Sequence, residues 1–247
     1  MELKILGTGG FSNDGSFYNC FMIDKHLLAE TPPDILQSLQ ASSIGLEDID
    51  TILISHFHGD HCFGLPFLLF NMFIKEKTDQ ASRPRLRLIA PPGVREWVRT
   101  ILGLAISPDH PYIEWALRSF DIIEIEEGRR YEVPRGLWLE FSHSYHSPET
   151  FSILAGESGH ERPAFIATSD TRWDPAILAL VRRGPRLMLC DSGGFKPGGV
   201  HMSPDEIQEH ILPELAESSR LLATHYAGER ISQGRLEYAQ AGDQFLI

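Results

Sequence analysis

Three cysteines in 247 residues, Cys20, Cys62 and Cys190, are odd in number and too far apart for a disulfide framework. The chain therefore reads as a protein of a reducing compartment. No run approaches the roughly 20 apolar residues of a membrane-spanning helix. The opening Met1-Glu2-Leu3-Lys4 lacks the basic-then-apolar pattern of a secretory signal. Both absences predict a cytoplasmic protein with no membrane partner. Basic charge is scarce as well: 22 Lys and Arg stand against 34 Asp and Glu, a net charge of −12. That balance disfavours general nucleic-acid binding unless the cations gather on one face. Arg83, Arg85, Arg87, Arg95 and Arg99 are close enough in sequence to do so, although a solvated charged face is the simpler expectation. Repeats, linkers and low-complexity segments are missing, which leaves one domain over residues 1–247. The G-x-G-x-x-G dinucleotide fingerprint is incomplete, since Ser12 stands where its third glycine belongs. The Gly7-Thr8-Gly9-Gly10 turn is expected instead to let backbone approach a site.

What the chain does have is histidine in one place. His56-Phe57-His58-Gly59-Asp60-His61 packs three imidazoles and a carboxylate into six positions. Such a cluster is costly in an interior unless a divalent metal holds it, and imidazole nitrogen and carboxylate oxygen are the donors that Zn²⁺ and its first-row neighbours take. The preceding Thr51-Ile52-Leu53-Ile54-Ser55 is apolar and β-branched, so it reads as a buried strand that delivers the cluster to a loop. Three more candidates stand where an apolar strand meets a loop: His146 after Leu139-Glu140-Phe141, Asp170 after Phe165-Ile166-Ala167, and His225 after Leu221-Leu222-Ala223-Thr224. The bland alternatives are a satisfied core histidine for His225 and a helix cap for Asp170. His143 competes with His146, because residues three apart on a strand point to opposite faces; the lead-in Ser147-Pro148-Glu149-Thr150 favours His146. Cys190 and Cys62 are expected to be small core hydrophobes rather than ligands. His26, His110, His160 and His210 belong to no motif.

Strands and helices alternate along the chain. Leu3–Leu6, Tyr18–Ile23, His26–Ala29, Leu86–Ala90, Phe151–Ala155, Ala164–Thr168, Arg186–Cys190 and Leu221–Thr224 read as strands, and 121–143 as β-rich. Helices are expected after Thr31-Pro32-Pro33-Asp34 with Thr31 as cap, over 65–76, over Pro92–Leu102, after Asp174-Pro175, and after Ser203-Pro204-Asp205-Glu206, which Pro213 should end. The β-rich middle predicts two sheets with helices outside them. The helix Phe67–Ile74 is apolar all round, so it should be buried in the core or against a second subunit, as in a homodimer.

Taken together, these motifs resemble the metallo-β-lactamase-fold hydrolases over nearly the whole chain. The His56–His61 run is the most specific part of the resemblance. Ser55–Leu69, ending in Gly64-Leu65-Pro66-Phe67-Leu68-Leu69, the opening Leu6-Gly7-Thr8-Gly9 and the closing Thr224-His225-Tyr226 look most like the phosphodiesterase branch, which includes ribonuclease Z and small nucleotide phosphodiesterases. The resemblance implies an α/β fold arranged as a four-layer αββα sandwich. It implies one metal on His56, His58 and His146, a second on Asp60, His61 and His225, and Asp170 bridging the two, with zinc the expected ion and Mn²⁺ or Fe²⁺ tolerated by the carboxylates. It also aligns His201 with a histidine that assists the leaving group and Asp191 with the acid that pairs with it. A surface histidine at a helix start is the alternative for His201. Common ribonuclease Z enzymes carry a glycine- and proline-rich arm that grips tRNA between the equivalents of His146 and Asp170. Here that interval is 24 positions (170 − 146), which leaves no room for such an arm.

The expected activity is therefore hydrolysis of a nucleotide or other small phosphodiester. A metal brings the pKa of bound water from about 15.7 toward about 7, which makes hydroxide available for attack on phosphorus, and Asp60, His201 and Asp191 complete the catalytic set. Other readings of the same centre are a carbon ester, lactone or thioester hydrolase, a ribonuclease Z-like tRNA endonuclease, which the missing arm disfavours, and a metal-binding protein without catalysis.

Overall fold

In the computed structural model, which describes residues 1–79, 85–226, 228 and 230–247, the strands gather into two seven-stranded sheets. The first contains β1 (Glu2–Gly7), β2 (Cys20–Ile23), β3 (Leu27–Ala29), β4 (Thr51–Leu53), β5 (Leu86–Ala90) and β6 (Phe120–Glu124), with β14 (Gln244–Leu246) beside β1. The second runs β13-β12-β11-β10-β9-β8-β7. Its members are β7 (Arg130–Val133), β8 (Leu137–Ser144), β9 (Thr150–Glu157), β10 (Phe165–Ala167), β11 (Leu187–Asp191), β12 (Arg220–Thr224) and β13 (Glu237–Tyr238). The β2–β3 hairpin turns through Asp24 and Lys25 at φ 46° and 60°, the left-handed geometry that a two-residue turn demands.

Three apolar layers hold four layers of structure together. Leu3, Ile5, Phe21, Leu53 and Ile89 of the first sheet meet Leu139, Phe141, Ile153, Phe165 and Leu189 of the second. Outside the first sheet, Leu28, Ile52 and Leu88 pack on helices α1 (Ile35–Ala41), α3 (Leu65–Asp79), α4 (Val94–Ala105) and α5 (Pro111–Ser119). Outside the second, Ile166, Met188 and Leu221 pack on α6 (Leu178–Val181) and on α7 (Pro204–Glu206), which continues as a π-helical turn over Ile207–Ile211. One short helix, α2 (Gly59–Cys62), lies within the histidine cluster. This is the αββα sandwich expected of the sequence. Strands of the inner sheets alternate apolar side chains between an inter-sheet core and a helix-covered face, so both faces are buried and the strands read as nearly continuous apolar runs.

The helix at residue 35 starts differently from the expectation. Its N-cap is Asp34, whose side chain makes no cap bond but accepts from the Tyr18 backbone N–H at 3.0 Å, and Thr31 N–H donates to the His61 carbonyl at 2.7 Å. The acid is used to tie down the loop before β2 instead of the helix. At Ser203 the expected capping box does form, with Glu206. Helix α3 is only partly covered: Leu68, Leu69 and Met72 are buried while Phe67 and Ile74 are exposed. Three of the five clustered arginines make separate contacts. Arg85 donates to the Phe120 carbonyl, Arg87 to the Glu132 carbonyl, and Arg99 pairs with Glu114; Arg83 lies outside the described residues. Among the described residues no helix is long and apolar enough to cross a membrane. Between His146 and Asp170 lie β9, a tight connection and β10, with no arm.

Candidate metal centre

All seven sequence-predicted metal residues meet at one edge of the sandwich, beyond the C-terminal ends of the strands that carry them. They form two overlapping groups. In each, one donor atom per residue lies within 4.8 Å of all the others: His56, His58, His146 and Asp170 in the first, and Asp60, His61, Asp170 and His225 in the second. Asp170 belongs to both. Ring nitrogens face one another across the first group (His58 Nδ1 to His146 Nε2, 3.2 Å) and across the second (His61 Nε2 to His225 Nε2, 3.4 Å). Asp170 Oδ2 is 3.5 Å from both His56 Nε2 and His225 Nε2, and its Oδ1 is 3.2 Å from His61 Nε2. His143 points away, half-exposed, toward Glu127 and Glu149.

Local structure explains the convergence. Strand β4 ends at Leu53, and the chain then crosses the sheet edge so that His56 is fully buried and α2 presents Asp60 and His61 inward. Ser169 and His225 adopt positive φ, 52° and 59°, just after β10 and β12. Non-glycine residues pay for that conformation, and it recurs where a fold must aim a side chain into a site. A third such residue is Glu30, φ 70°, just after β3.

The residues present fit a divalent metal. His56 Nε2 and Asp60 Oδ1 are buried without a hydrogen-bond partner, which ordinarily costs a kilocalorie or more each. The other nitrogen of His56 is fixed 3.0 Å from Ser55 Oγ, the arrangement that orients an imidazole toward a metal. Electrostatics are balanced to match. Burial works against charge on Asp170, but the His225, His61 and His56 rings around it outweigh that and hold its carboxyl well below the usual range. Burial also opposes charge on His225, yet Asp170, Asp191 and Asp60 raise it to about 10. His61 is likewise raised well above the ordinary value, burial being outweighed by Asp170 and Glu30, whereas burial and the neighbouring His61 push His56 well down.

Asp191 and His201 stand beside the second group. His201 Nδ1 is 2.8 Å from Asp191 Oδ2, and the pair lies with Asp170 and His225 in a third overlapping cluster. An open cavity of about 800 Å³ exposes His58, His146, His201 and His225, with Arg172 and Tyr145 in its wall. Sequence reasoning missed Glu30, whose Oε2 lies 3.7 Å from His61 Nδ1. Its signal was present, since a carboxylate directly follows the apolar strand Leu27–Ala29 just as the other site residues follow theirs. Three of the four unassigned histidines have structural partners: His26 pairs with Asp50 at 2.8 Å, His110 caps α5, and His210 stacks on Trp173. Cys62 and Cys190 are buried, as expected of core residues.

Comparison with known proteins places this geometry in a family. The model of the anti-Pycsar protein Apyc1 family matches residues 1–244. The chain belongs to this family. An Apyc1 relative from Saccharibacillus brassicae is 28% identical over 98% of this chain and 98% of its own length. Apyc1-family likeness shades into a second group: a ribonuclease Z from Pediococcus pentosaceus is 32% identical over 43% of this chain and 35% of that enzyme. Among solved structures, the metallo-β-lactamase fold protein YhfI from Bacillus subtilis superposes with a TM-score of 0.78 at 14% identity, covering 99% of this chain and 98% of YhfI. The chain has the metallo-β-lactamase fold, and its His/Asp groups are of the kind that could hold a divalent metal.

Proposed function

We propose that the chain is a phosphodiesterase that hydrolyses a nucleotide-sized phosphodiester at a centre of two divalent ions, zinc being the expected metal, with nucleoside cyclic phosphates the leading substrates. One observation carries the reading: two His/Asp groups share Asp170, and an Asp191–His201 pair stands alongside. Membership of the Apyc1 family, the absent arm and a cavity of small-molecule size support the substrate class. Bound there, the ions would supply a water that ionises near neutral pH and positive charge for the non-bridging phosphoryl oxygens.

The chain's own residues do the rest. His56, His58 and His146 would hold one ion, Asp60, His61 and His225 the other, and Asp170 would serve both. Asp191 is itself fixed by the Thr171 and Gly193 N–H groups at 2.8 and 2.9 Å. It accepts from His201 Nδ1 and leaves Nε2 free to face the departing oxygen. Burial tends to neutralise His201, but the bond to Asp191 outweighs it and raises the ring's pKa. A ring so held is biased toward its protonated form and could hand that proton to the leaving alkoxide, as a general acid.

The test is a panel of bis(p-nitrophenyl) phosphate, nucleoside cyclic phosphates, a lactone, a thioester and a tRNA precursor, offered to metal-loaded protein. Metal-dependent turnover of the phosphodiesters is expected. Turnover of the lactone or thioester alone would reject the reading in favour of a carbon-ester hydrolase, cleavage of only the precursor would point to a ribonuclease Z, and no turnover at all would leave a binding protein.

A further inference from the structure

The tripeptide Gly-Gly-Phe occurs at two places, Gly9-Gly10-Phe11 and Gly193-Gly194-Phe195. Both copies press against His225, and the second also against His201. A Cβ on Gly10 would come within 3.1 Å of the His225 ring, and one on Gly193 within 2.9 Å of the His225 carbonyl and 3.2 Å of the His201 ring. Any larger residue would displace those rings, so glycine is what lets each loop lie on the centre. Each loop then lifts a phenylalanine away from the core: Phe11 is 77% exposed and Phe195 75%. Both rings line one cavity of about 500 Å³ whose floor includes His201 and His225, and Phe11 also lines the larger cavity over the metal residues. The Arg230 guanidinium lies over the Phe195 ring, 5.9 Å from its centroid, within cation–π range. Two solvent-facing aromatics at the mouth of one polar site are unusual for a surface, and a planar apolar group of the substrate is what they are shaped to take.

We propose that Phe11 and Phe195 form an aromatic clamp that stacks on the base of the substrate nucleotide while its phosphate sits at the His/Asp centre. The proposal rests on the phosphodiesterase reading. It makes the two loops the determinant of preference for nucleotides over other phosphodiesters. Stacking a base on an aromatic side chain tolerates every base, since each has a π-face, so the clamp selects for a base without selecting which one.

Steady-state kinetics of Phe11→Leu, Phe195→Leu and the double variant test this. A nucleoside 3′,5′-cyclic phosphate is compared with ribose 3′,5′-cyclic phosphate lacking the base, alongside calorimetric titration of a nucleoside cyclic phosphorothioate. Each leucine should cut kcat/KM for the nucleoside substrate about tenfold, chiefly through KM, leave the abasic substrate unchanged, and weaken phosphorothioate binding equally. Tryptophan at either position should restore the loss. Equal effects on both substrates, or none on either, would overturn the clamp while leaving the phosphodiesterase reading intact. If the parent protein turns over no phosphodiester, that reading fails, and the titration decides the clamp alone: it stands if leucine weakens binding, and falls if binding is unchanged or absent.

Discussion

Asp191 joins the two histidines on either side of it: its Oδ2 lies 2.8 Å from His201 Nδ1 and its Oδ1 3.4 Å from His225 Nδ1. One buried carboxylate therefore orients both the candidate acid and a candidate ligand. The two roles separate by mutation. His201→Ala should lose roughly 10²–10⁴ in kcat, the range of general acid catalysis, with bound metal unchanged by elemental analysis. Loss of metal in that variant would move His201 among the ligands.

Asp191→Asn tests the pair through pH. The carboxylate raises the His201 pKa, and an acid works only while protonated, so activity should fall as pH rises through that raised value. With the charge removed the pKa drops, and the alkaline limb of the kcat profile should move to lower pH. The profile is recorded at saturating metal, because Asp191 also touches His225. An unmoved limb would mean that His201 does not supply the proton.

His143 and His146 make a paired comparison. The His143 side chain is 47% exposed and sits between two glutamates, so His143→Ala should change stability by no more than about 0.5 kcal/mol and leave metal content as it was. His146→Ala removes a nitrogen 3.2 Å from His58 Nδ1 and should lower metal stoichiometry. The reverse outcome would exchange the two assignments.

These two histidines also show what a sequence can carry. Strand ends were legible because apolar β-branched runs stop abruptly at His56, Asp170 and His225, and side chains at strand ends converge by topology. The choice between His143 and His146 turned on where the strand stops: β8 ends at Ser144, His143 on it lies beside Glu127 and Glu149, and His146 past it comes within 3.2 Å of His58. Helix α5 was missed although Tyr112, Ile113, Ala116 and Leu117 give it a buried face, because it passes straight into β6 with no intervening turn signal. The edge strands β13 and β14 are two and three residues long, too short for periodicity to register. The Thr31 cap failed for a reason no local pattern holds: the helix starts at Ile35 with Asp34 at its N-cap, and a backbone N–H 16 residues away claims that carboxylate.

Metal binding should release protons. In the metal-free chain His225 is raised to about 10 by the carboxylates that outweigh its burial, so it holds a proton at neutral pH, and His61 is shifted in the same direction. A metal needs the same lone pairs. Affinity should therefore rise with pH until about 10 and flatten above it. Zinc titrations by calorimetry at pH 8, in two buffers of different ionisation enthalpy, should give a release of about one proton or more per centre; zero release would sink the assignment of His225 as a ligand.

Glu30 is the residue whose part in the site is easiest to mistake for packing. Both its oxygens are 3.3 Å from the Ser55 N–H, and Oε2 lies 3.7 Å from His61 Nδ1. The first contact fixes the loop that carries His56; the second, longer one acts on His61 by charge. Glu30→Gln keeps the shape and removes the charge. If Glu30 acts as such outer partners do, metal affinity should fall about 10–100-fold, with kcat recovered at saturating metal because no group touching the substrate is lost. Glu30→Ala also strands the Ser55 N–H, so it should add a loss of thermal stability that Glu30→Gln lacks, of about 1–3 kcal/mol for an unpaired buried donor. Competition against a chelator separates the two effects. A Glu30→Gln protein with parental affinity and a Glu30→Ala protein that is merely less stable would reduce Glu30 to a support for the loop.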